Sequence, residues 1–234
     1  MRMEMKHMKF SLVPKALALA AAVTLASCGG GGKATFPINV TVSGVVYPNL
    51  VFTTNGQSYK VDPPAKNADG SIPQVKFVFP QEIEYGTVYN VIPNPNPAHQ
   101  RCTNSPFPAT GTAGQLAVID IQYTCTIIQY PLSGAVKGLT GTGLVIANGS
   151  TGGTAPVSPV LDTANKPTGA DTTFLMPVTI PFASTYGLTI LSQPTGQTCK
   201  LTGGANGTGA GTIDESTEAA GGVSNFVVTC TNNT

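Results

Sequence analysis

Four cysteines are the residues of this chain best suited to react with one another. Cys102, Cys125, Cys199 and Cys230 are widely spaced, and no two of them are close neighbours in sequence. Cysteine zinc sites usually contain pairs two to four residues apart, so this spacing argues against zinc. An even number of cysteines in an exported chain indicates disulfides, and four cysteines allow three connectivities. We therefore expect two disulfides and no metal site.

Few other residues are suited to catalysis. Beyond the first 27 residues the chain has one histidine, His99, in a loop rich in proline and asparagine. Such a loop is a poor place to hold a catalytic base, so we predict a solvated side chain. Glu82 and Glu84 share one face of a strand or turn, whereas Glu215 and Glu218 lie in a loop rich in glycine and threonine. We interpret both pairs as surface charge rather than as glycosidase acids, and expect no catalytic residue, no cofactor and no enzymatic activity.

Calcium is the metal that the sequence leaves open. Asp62, Asn67 and Asp69 lie close together before a glycine, and Asp162 and Asp171 occupy the related loop further on. Calcium takes six or more oxygen ligands, which backbone carbonyls can supplement. Asp and Asn before glycine are also ordinary turn formers, so these residues do not by themselves indicate a site.

The first 27 residues have the organisation of a secretory signal peptide. Basic residues up to Lys15 precede an apolar run, Ala16–Leu25, that is too short to span a bilayer. The motif LASC at residues 25–28 resembles the lipobox of bacterial lipoproteins. That resemblance implies that Cys28 is lipidated on its thiol, becomes the mature N-terminus and anchors the chain in a membrane. The alternative is an ordinary secreted protein in which Cys28 has no role.

The residues after Cys28 predict a tether and a location. Residues 28–35 begin with the cysteine and four glycines, and glycine-rich segments behave as flexible coils. The residue after the cysteine is Gly29, not the aspartate that tends to retain Gram-negative lipoproteins at the inner membrane. The resemblance therefore implies the outer membrane, on its periplasmic face or at the cell surface.

Charge and composition exclude some classes of partner. Residues 28–234 contain eight Lys and Arg against ten Asp and Glu, which argues against binding to nucleic acid. Charged residues make up only 10% of the chain, and 41% of it is hydrophobic. That balance predicts folded cores rather than disorder, and the many turn formers and β-branched residues favour β-structure.

An internal repeat predicts the domain organisation. The segments Val75–Cys102 and Thr172–Cys199 align without a gap at an offset of 97. The matched pairs are Phe77 with Phe174, Pro80 with Pro177, Tyr89 with Tyr186, Gln100 with Gln197, and Cys102 with Cys199. Outside this block, Val42-Ser43-Gly44 resembles Leu132-Ser133-Gly134. We interpret the chain as two copies of one module, at residues 36–127 and 128–234.

Short strand signals recur in both copies, and no window after residue 30 has a helical apolar stripe. The first copy predicts strands at Asn39–Val46, Leu50–Thr54, Ser58–Val61, Gln74–Phe79, Val88–Pro93, Arg101–Asn104 and Leu116–Thr126. The second predicts them at Leu132–Lys137, Gly143–Asn148, Ser158–Leu161, Thr172–Pro177, Tyr186–Leu191, Thr198–Thr202 and Ser224–Thr231. About seven short strands in about 100 residues predict two tandem β-sandwiches, an all-β fold.

The predicted strand order selects one disulfide pairing. In the first copy one cysteine lies near the start of the penultimate strand and the other near the end of the last strand. If those two strands are antiparallel, the start of one lies beside the end of the other, within reach of a disulfide. We therefore expect Cys102–Cys125 and, by the same argument, Cys199–Cys230.

The second copy also resembles a known repeat of bacterial surface lipoproteins and large exported proteins. The resemblance rests on "SGAVKGLTGTGLVIANG", "SQPTGQTC" and the closing "VVTC". In the first copy "NPNPAHQRC" replaces "SQPTGQTC", and the glycine-rich opening is absent. The strand order is also similar to that of transthyretin-like sandwich domains. The resemblance implies an Ig-like or transthyretin-like fold at the cell surface, and no catalytic residues.

These observations together predict a membrane-anchored lipoprotein with a non-catalytic structural or adhesive role. The alternative is a periplasmic or surface binding module for a glycan or protein partner. Such a module would use the long loops Pro63–Pro73 and Gly149–Asp171, with Tyr59, Tyr85 and Phe107 as exposed aromatic residues. Apart from the membrane, no particular partner is indicated.

Overall fold

Nearly every ordered element of the molecule is a β-strand, as the sequence predicts. The computed structural model describes residues 33–106, 108–149 and 152–234, which contain 21 strands and one five-residue helix. The all-β fold class is therefore confirmed. The signal peptide, Cys28 and most of the tether lie outside the described residues. Within them, no helix is long and apolar enough to cross a membrane.

The first half of the described chain forms what we call the N-terminal lobe. Its strands are β1 (Thr35–Phe36), β2 (Ile38–Ser43), β3 (Leu50–Thr54), β4 (Gln57–Val61), β5 (Val75–Val78), β6 (Ile83–Glu84), β7 (Val88–Asn90), β8 (Ile92–Pro93), β9 (Gln100–Asn104), β10 (Thr110–Thr112) and β11 (Ile119–Ile127). One sheet has the order β5-β2-β11-β9 and a second the order β4-β3-β8, with the short ladders β1-β6 and β10-β7 beside them. The long strands β2 and β11 are parallel.

The second half forms the C-terminal lobe with the same plan. Its strands are β12 (Gln129–Tyr130), β13 (Leu132–Lys137), β14 (Leu144–Asn148), β15 (Thr154–Val157), β16 (Thr172–Leu175), β17 (Ile180–Pro181), β18 (Thr185–Ser192), β19 (Gln197–Thr202), β20 (Ala210–Thr212) and β21 (Val223–Asn232), with helix α1 (Glu215–Ala219) before the last strand. The sheets have the orders β16-β13-β21-β19 and β15-β14-β18-β20, and β12 pairs with β17. Here β13 and β21 are the parallel pair.

Each lobe buries its own hydrophobic core between its two sheets. Along β11 the side chains alternate, with Ile119, Ile121, Tyr123 and Cys125 buried and the residues between them exposed. This period of two places one face of the sheet on the core and the other in water. In the N-terminal lobe Phe52 of the facing sheet packs against Tyr123, with ring centroids 4.8 Å apart. The buried residues fall into two clusters, one in each lobe.

The two disulfides are those predicted. Cys102 on β9 is the cross-strand neighbour of Cys125 on β11, and Cys199 on β19 is the neighbour of Cys230 on β21. In both cases the bond joins adjacent antiparallel strands of one sheet. Each disulfide therefore closes a loop inside its own lobe and fixes the last strand in register.

A buried glutamine at the start of each cysteine strand supports the loop that follows β2 or β13. The Gln100 side chain accepts hydrogen bonds from the amides of Val46 and Tyr47 and donates to the carbonyl of Gly44. Gln197 does the same for the loop after β13, with Thr140, Gly141 and Gly138 as its partners. These loop groups would otherwise lack partners next to the core, which is costly. The second glutamine of the Q-P-x-G-Q-x-C motif is thus structural.

These contacts correct one register in the sequence repeat. The match of Val42-Ser43-Gly44 with Leu132-Ser133-Gly134 is wrong by four residues. Gly44 and Gly138 are equivalent: both have a positive φ, and a Cβ on either would lie 2.5 or 2.9 Å from the carbonyl oxygen of the facing cysteine, Cys125 or Cys230. The offset before the aligned block is therefore 94, and long-range strand pairing fixes it where a three-residue match cannot.

Two further differences concern individual elements. The strand predicted at Ser158–Leu161 is wrong: the observed strand is Thr154–Val157, and Leu161 makes only an isolated bridge to Pro167. The prediction of no helix is wrong for residues 215–219. There Asp214 caps a single helical turn by accepting from the amide of Thr217. The turn is too short for an apolar stripe, so periodicity could not reveal it.

Candidate functional site

The two lobes meet at a junction with almost no linker. Strand β11 ends at Ile127 and β12 begins at Gln129, so Ile128 alone separates them. The amide of Ile128 donates to the carbonyl of His99 (2.9 Å), and the Ile128 carbonyl accepts from the amide of Phe182 (3.0 Å). The connecting residue is therefore bonded to both lobes, which limits bending at this point.

His99 lies at the centre of the junction rather than in solvent, which corrects the prediction of a solvated loop residue. Its imidazole stacks on Phe182 of the C-terminal lobe, with ring centroids 3.6 Å apart and planes within 1°. Tyr47 meets both rings edge-on, at 5.0 Å from His99 and 5.8 Å from Phe182. Only 12% of the His99 side chain is exposed. The aromatic contacts hold the imidazole in one orientation.

The backbone of His99 adopts the left-handed conformation. Its φ is 57°, a value that is uncommon for residues other than glycine. The equivalent residue of the C-terminal lobe is Gly196, with a φ of 72°. The same turn thus carries a glycine in one lobe and a histidine in the other. This backbone turn directs the imidazole across the junction.

Two carboxylates of helix α1 approach the imidazole from the C-terminal lobe. Nδ1 of His99 lies 2.5 Å from Oε2 of Glu218, and Nε2 lies 3.1 Å from Oε1 of Glu215. Glu218 is three-quarters buried and also accepts a hydrogen bond from the Tyr130 hydroxyl at 2.5 Å. Glu215 is 78% exposed. The interpretation as surface charge is wrong for Glu218, whereas Glu215 is exposed as predicted. The helical turn nevertheless brings both carboxylates to His99.

Burial and hydrogen bonding shift two pKa values at this site. Desolvation, assisted by the negative charge of Glu218, raises the pKa of Tyr130 to about 12. The Tyr130 hydroxyl and then the His99 imidazole stabilise the Glu218 carboxylate and lower its pKa, although burial acts in the opposite direction. Tyr130 is thus a proton donor and Glu218 an anion at neutral pH.

The arrangement can hold a proton or a cation between the lobes. Among the described residues, the His99 ring nitrogens contact the carboxylates of Glu215 and Glu218 rather than the hydroxyl or thiol that a nucleophile would supply. One imidazole and two carboxylates are also ligands for divalent metals. One potential ligand atom from each of His99, Glu215 and Glu218 lies within 4.8 Å of the others.

The residues considered for calcium are engaged in turns and ion pairs. Asp69 accepts from the amide and hydroxyl of Ser71, at 2.9 and 2.6 Å, and these bonds lower its pKa. Asp162 accepts from two backbone amides within its own loop. Asp62 pairs with Lys60 at 2.8 Å. These carboxylates have the contacts of ordinary turn formers, which favours the second of the two interpretations left open by the sequence.

The other predicted candidates occupy separate places. Glu82 accepts a hydrogen bond from Thr35 at the β1–β6 ladder, of which Glu84 is a member. Tyr59 is not an exposed aromatic: it stacks on Phe77 with ring centroids 4.0 Å apart. Tyr85 is exposed as predicted, with 64% of its surface accessible. Phe107 lies outside the described residues.

One apolar hollow lies on the N-terminal lobe, away from the loops expected to bind a partner. Its volume is about 430 Å³, and its lining residues include Tyr89, Pro108, Leu116 and Val118. Leu116 and Val118 are more than half exposed although both are large and apolar. Exposed apolar residues that cluster around a concavity are typical of contact sites.

The junction could not be predicted from the sequence because the residues that form it are far apart in the chain. His99 and Glu218 are separated by 119 residues, and no motif links them. One signal was present: the gapless alignment at offset 97 places His99 opposite Gly196, in a turn that favours glycine. A histidine at a glycine position indicates that the side chain has a local role.

Comparisons with known proteins add little. No protein-family model and no curated protein matches the chain. Among solved structures, the chain is similar to the major pilin protein T-13 of Streptococcus pyogenes, at 12% identity over 85% of this chain and 97% of that chain. The TM-score is 0.29, so this likeness carries no argument about fold or function.

Proposed function

We propose that this protein is an exported, lipid-anchored structural protein of the bacterial envelope that holds two linked β-sandwich lobes away from an outer membrane. Its role is structural or adhesive, without catalysis. The observation that supports this best is the junction: the lobes share a single connecting residue, Ile128, which is hydrogen-bonded on both sides. A stiff connection keeps the two lobes in one orientation relative to each other, while the glycine-rich tether leaves the pair free to move above the membrane.

The disulfides fit the same role. Cys102–Cys125 and Cys199–Cys230 each close a loop inside one lobe, so each lobe keeps its own covalent brace. Such bonds persist in oxidising compartments outside the cytoplasm. The lipobox-like LASC at residues 25–28 and the glycines after it supply the anchor and the tether.

The anchor is tested by radiolabelled palmitate and membrane fractionation in a Gram-negative host. The wild type should incorporate label and fractionate with the outer membrane, whereas Cys28→Ser should lose the label. Gly29→Asp is the matched control: it keeps the cysteine, so it should keep the label but move to the inner membrane. Equal labelling of wild type and Cys28→Ser would refute the anchor.

The structural role is tested separately by complementation of a deletion strain, with cell adhesion and envelope integrity as readouts. A tethered structural protein should complement only when it is anchored. Cys28→Ser should therefore fail even when it is exported, folded and oxidised. Full complementation by this released form would instead indicate a soluble activity and contradict the proposal.

A binding module is the second candidate, and the apolar hollow beside Leu116 and Val118 favours it. A change of Leu116 to Ser should then reduce binding to an immobilised glycan array or a protein partner. Leu191, on β18 of the C-terminal lobe, is exposed to a similar degree, at 65% against 60%. Leu191→Ser is therefore a matched control that should leave binding unchanged.

A further inference from the structure

The imidazole of His99 and the carboxylate of Glu215 face each other, and a positive charge between them would stabilise this arrangement. Nδ1 of His99 lies 2.5 Å from a Glu218 oxygen, which assigns the imidazole proton to Nδ1. Nε2 lies 3.1 Å from a carboxylate oxygen of Glu215, so either a second imidazole proton or a metal ion must lie between these two atoms. Two acceptors at this distance repel each other unless a positive charge lies between them.

We propose that His99 and Glu215 bind a divalent transition-metal ion, with zinc the best match, and that this ion joins the two lobes. Two ligand atoms that each lie about 2.0–2.2 Å from zinc are about 3–3.5 Å apart, which agrees with the observed separation. Nε2 of His99 and a carboxylate oxygen of Glu215 are the direct ligands, and water completes the coordination. An imidazole ligand favours zinc over calcium or magnesium, which take oxygen.

Glu218 and Tyr130 act as positioning residues. A metal-binding histidine usually donates its other N–H to a carboxylate, which fixes the tautomer and the ring orientation. Glu218 accepts from Nδ1, and the Tyr130 hydroxyl holds Glu218 at 2.5 Å. This chain of hydrogen bonds continues from the imidazole into the C-terminal lobe. Because these hydrogen bonds use Nδ1, Nε2 is the imidazole atom that can bind the metal.

The aromatic packing prepares the imidazole for binding. The ring is stacked on Phe182 and is only 12% exposed, so it loses little freedom when an ion binds. Glu215 is 78% exposed and can adjust its side chain to the ion. The site is thus rigid on the N-terminal lobe and adaptable on the C-terminal lobe, and an ion bound there restrains the lobes relative to each other.

The test is titration of the full oxidised chain with Zn²⁺ alone at pH 8 by isothermal calorimetry. The wild type should bind one ion that Glu215→Gln and His99→Asn do not bind. Glu215 is exposed, so its change should leave the fold intact, and asparagine tolerates the left-handed conformation of residue 99. Asp171→Asn removes an exposed carboxylate elsewhere on the same lobe and should bind Zn²⁺ as the wild type does.

A change to a positioning residue should weaken zinc binding without abolishing it. Glu218→Gln keeps an acceptor for the Nδ1 proton, so binding should persist but weaken by about tenfold, at the low end for changes behind a metal ligand. Zn²⁺ should raise the melting temperature of the wild type and EDTA should reverse the rise, with neither effect in Glu215→Gln.

Residual metal binding by Cys28 or His7 would be the same in every variant, so only the difference from wild type counts. The proposal fails if the wild type binds no Zn²⁺, in which case the junction is an imidazolium ion pair. It also fails if His99→Asn and Glu215→Gln bind Zn²⁺ as tightly as the wild type.

Discussion

The same corner of the two lobes carries different residues, and the difference follows from what lies beside it. In the N-terminal lobe this corner has Tyr47 and His99, which contact the C-terminal lobe. The equivalent positions of the C-terminal lobe are Gly141 and Gly196. Gly141 makes the same glutamine contact as Tyr47, and Gly196 aligns with His99 in the sequence repeat. The turn itself is the same. The large side chains occur at the corner that meets a neighbouring lobe.

The opposite corner carries an aromatic residue in both lobes. Phe182 receives the His99 ring, and its equivalent in the N-terminal lobe is Tyr85, which is exposed. The backbone bond from Phe182 to Ile128 has its counterpart in the bond from Tyr85 to Ala34. The backbone bond and an aromatic side chain are thus common to both corners, and what differs is that the corner at Phe182 has a neighbouring lobe to contact.

The two cores have the same strand arrangement but differ in the sizes of individual side chains, which offset each other. Val40 on β2 is the cross-strand neighbour of Ile121 on β11, and the equivalent pair in the C-terminal lobe is Gly134 and Phe226. A smaller residue on the first strand is balanced by a larger one on the last, which keeps the packed volume close to constant.

Removal of one disulfide should cause the largest difference in stability between the two lobes. The bonded cysteines are 23 residues apart in the N-terminal lobe and 31 in the C-terminal lobe. In the chain-entropy model, either double change to serine should cost its own lobe about 3–4 kcal/mol of unfolding free energy. Native-state hydrogen exchange would locate the loss. If Cys199→Ser with Cys230→Ser lowered protection equally on β2 and β13, the lobes would not be separate cooperative units.

Replacement of the buried glutamines should be next in size and nearly equal in the two lobes. Gln100→Ala or Gln197→Ala leaves two amides and one carbonyl without partners, so we expect a loss of about 2–4 kcal/mol in urea unfolding. The isosteric change to Met separates the polar loss from the cavity and should still cost about 2 kcal/mol. Gln115→Ala, on an exposed side chain, should stay within about 0.5 kcal/mol. A large loss in one lobe alone would show that the frame is not shared.

The strands could be predicted wherever local pattern determines structure. Leu50–Thr54 and Leu132–Lys137 have the predicted bounds, and Asn55-Gly56, a dipeptide typical of hairpins, forms the turn between β3 and β4. The disulfides followed because antiparallel neighbours at a sheet edge leave little choice. The register of Gly44 could not be predicted, since it is fixed by the pairing of β2 with β11, for example Ser43 with Thr124.

The contacts at the junction could not be predicted from the sequence, for a different reason. A loop position such as His99 has no periodicity, and its partners come from a single turn of helix that has no apolar stripe. Contacts between lobes depend on how two finished folds meet, which local pattern does not encode.

Gly134 on β13 should tolerate an added side chain less well than Gly187 on β18. A Cβ at Gly134 would overlap the carbonyl oxygen of Phe226, so Gly134→Ala should cost about 2 kcal/mol by overpacking. Gly187 has no atom within 4 Å of such a Cβ, and Gly187→Ala is the matched control with an effect within about 0.5 kcal/mol. Equal urea midpoints for the two variants would disprove the compensation between Gly134 and Phe226.

The smallest expected difference appears at alkaline pH. The Tyr123 hydroxyl donates to the Val91 carbonyl inside the N-terminal core, and burial raises the pKa of Tyr123 to about 12. The equivalent residue of the C-terminal lobe is Val228, which does not ionise. A tyrosine whose folded pKa lies above its unfolded pKa of about 10 stabilises the fold below pH 10.

That stabilisation is lost as the pH rises from about 10 through about 12, because the unfolded chain ionises first. The loss from Tyr123 should be on the order of 1–2 kcal/mol. Tyr123→Phe removes this ionisation, so it should start about 1 kcal/mol less stable at pH 8 for want of the hydrogen bond and then decline less steeply. Urea unfolding at pH 8, 10 and 11.5 measures both effects. Parallel declines of wild type and Tyr123→Phe would mean that this hydroxyl ionises no later in the folded lobe than in the unfolded chain.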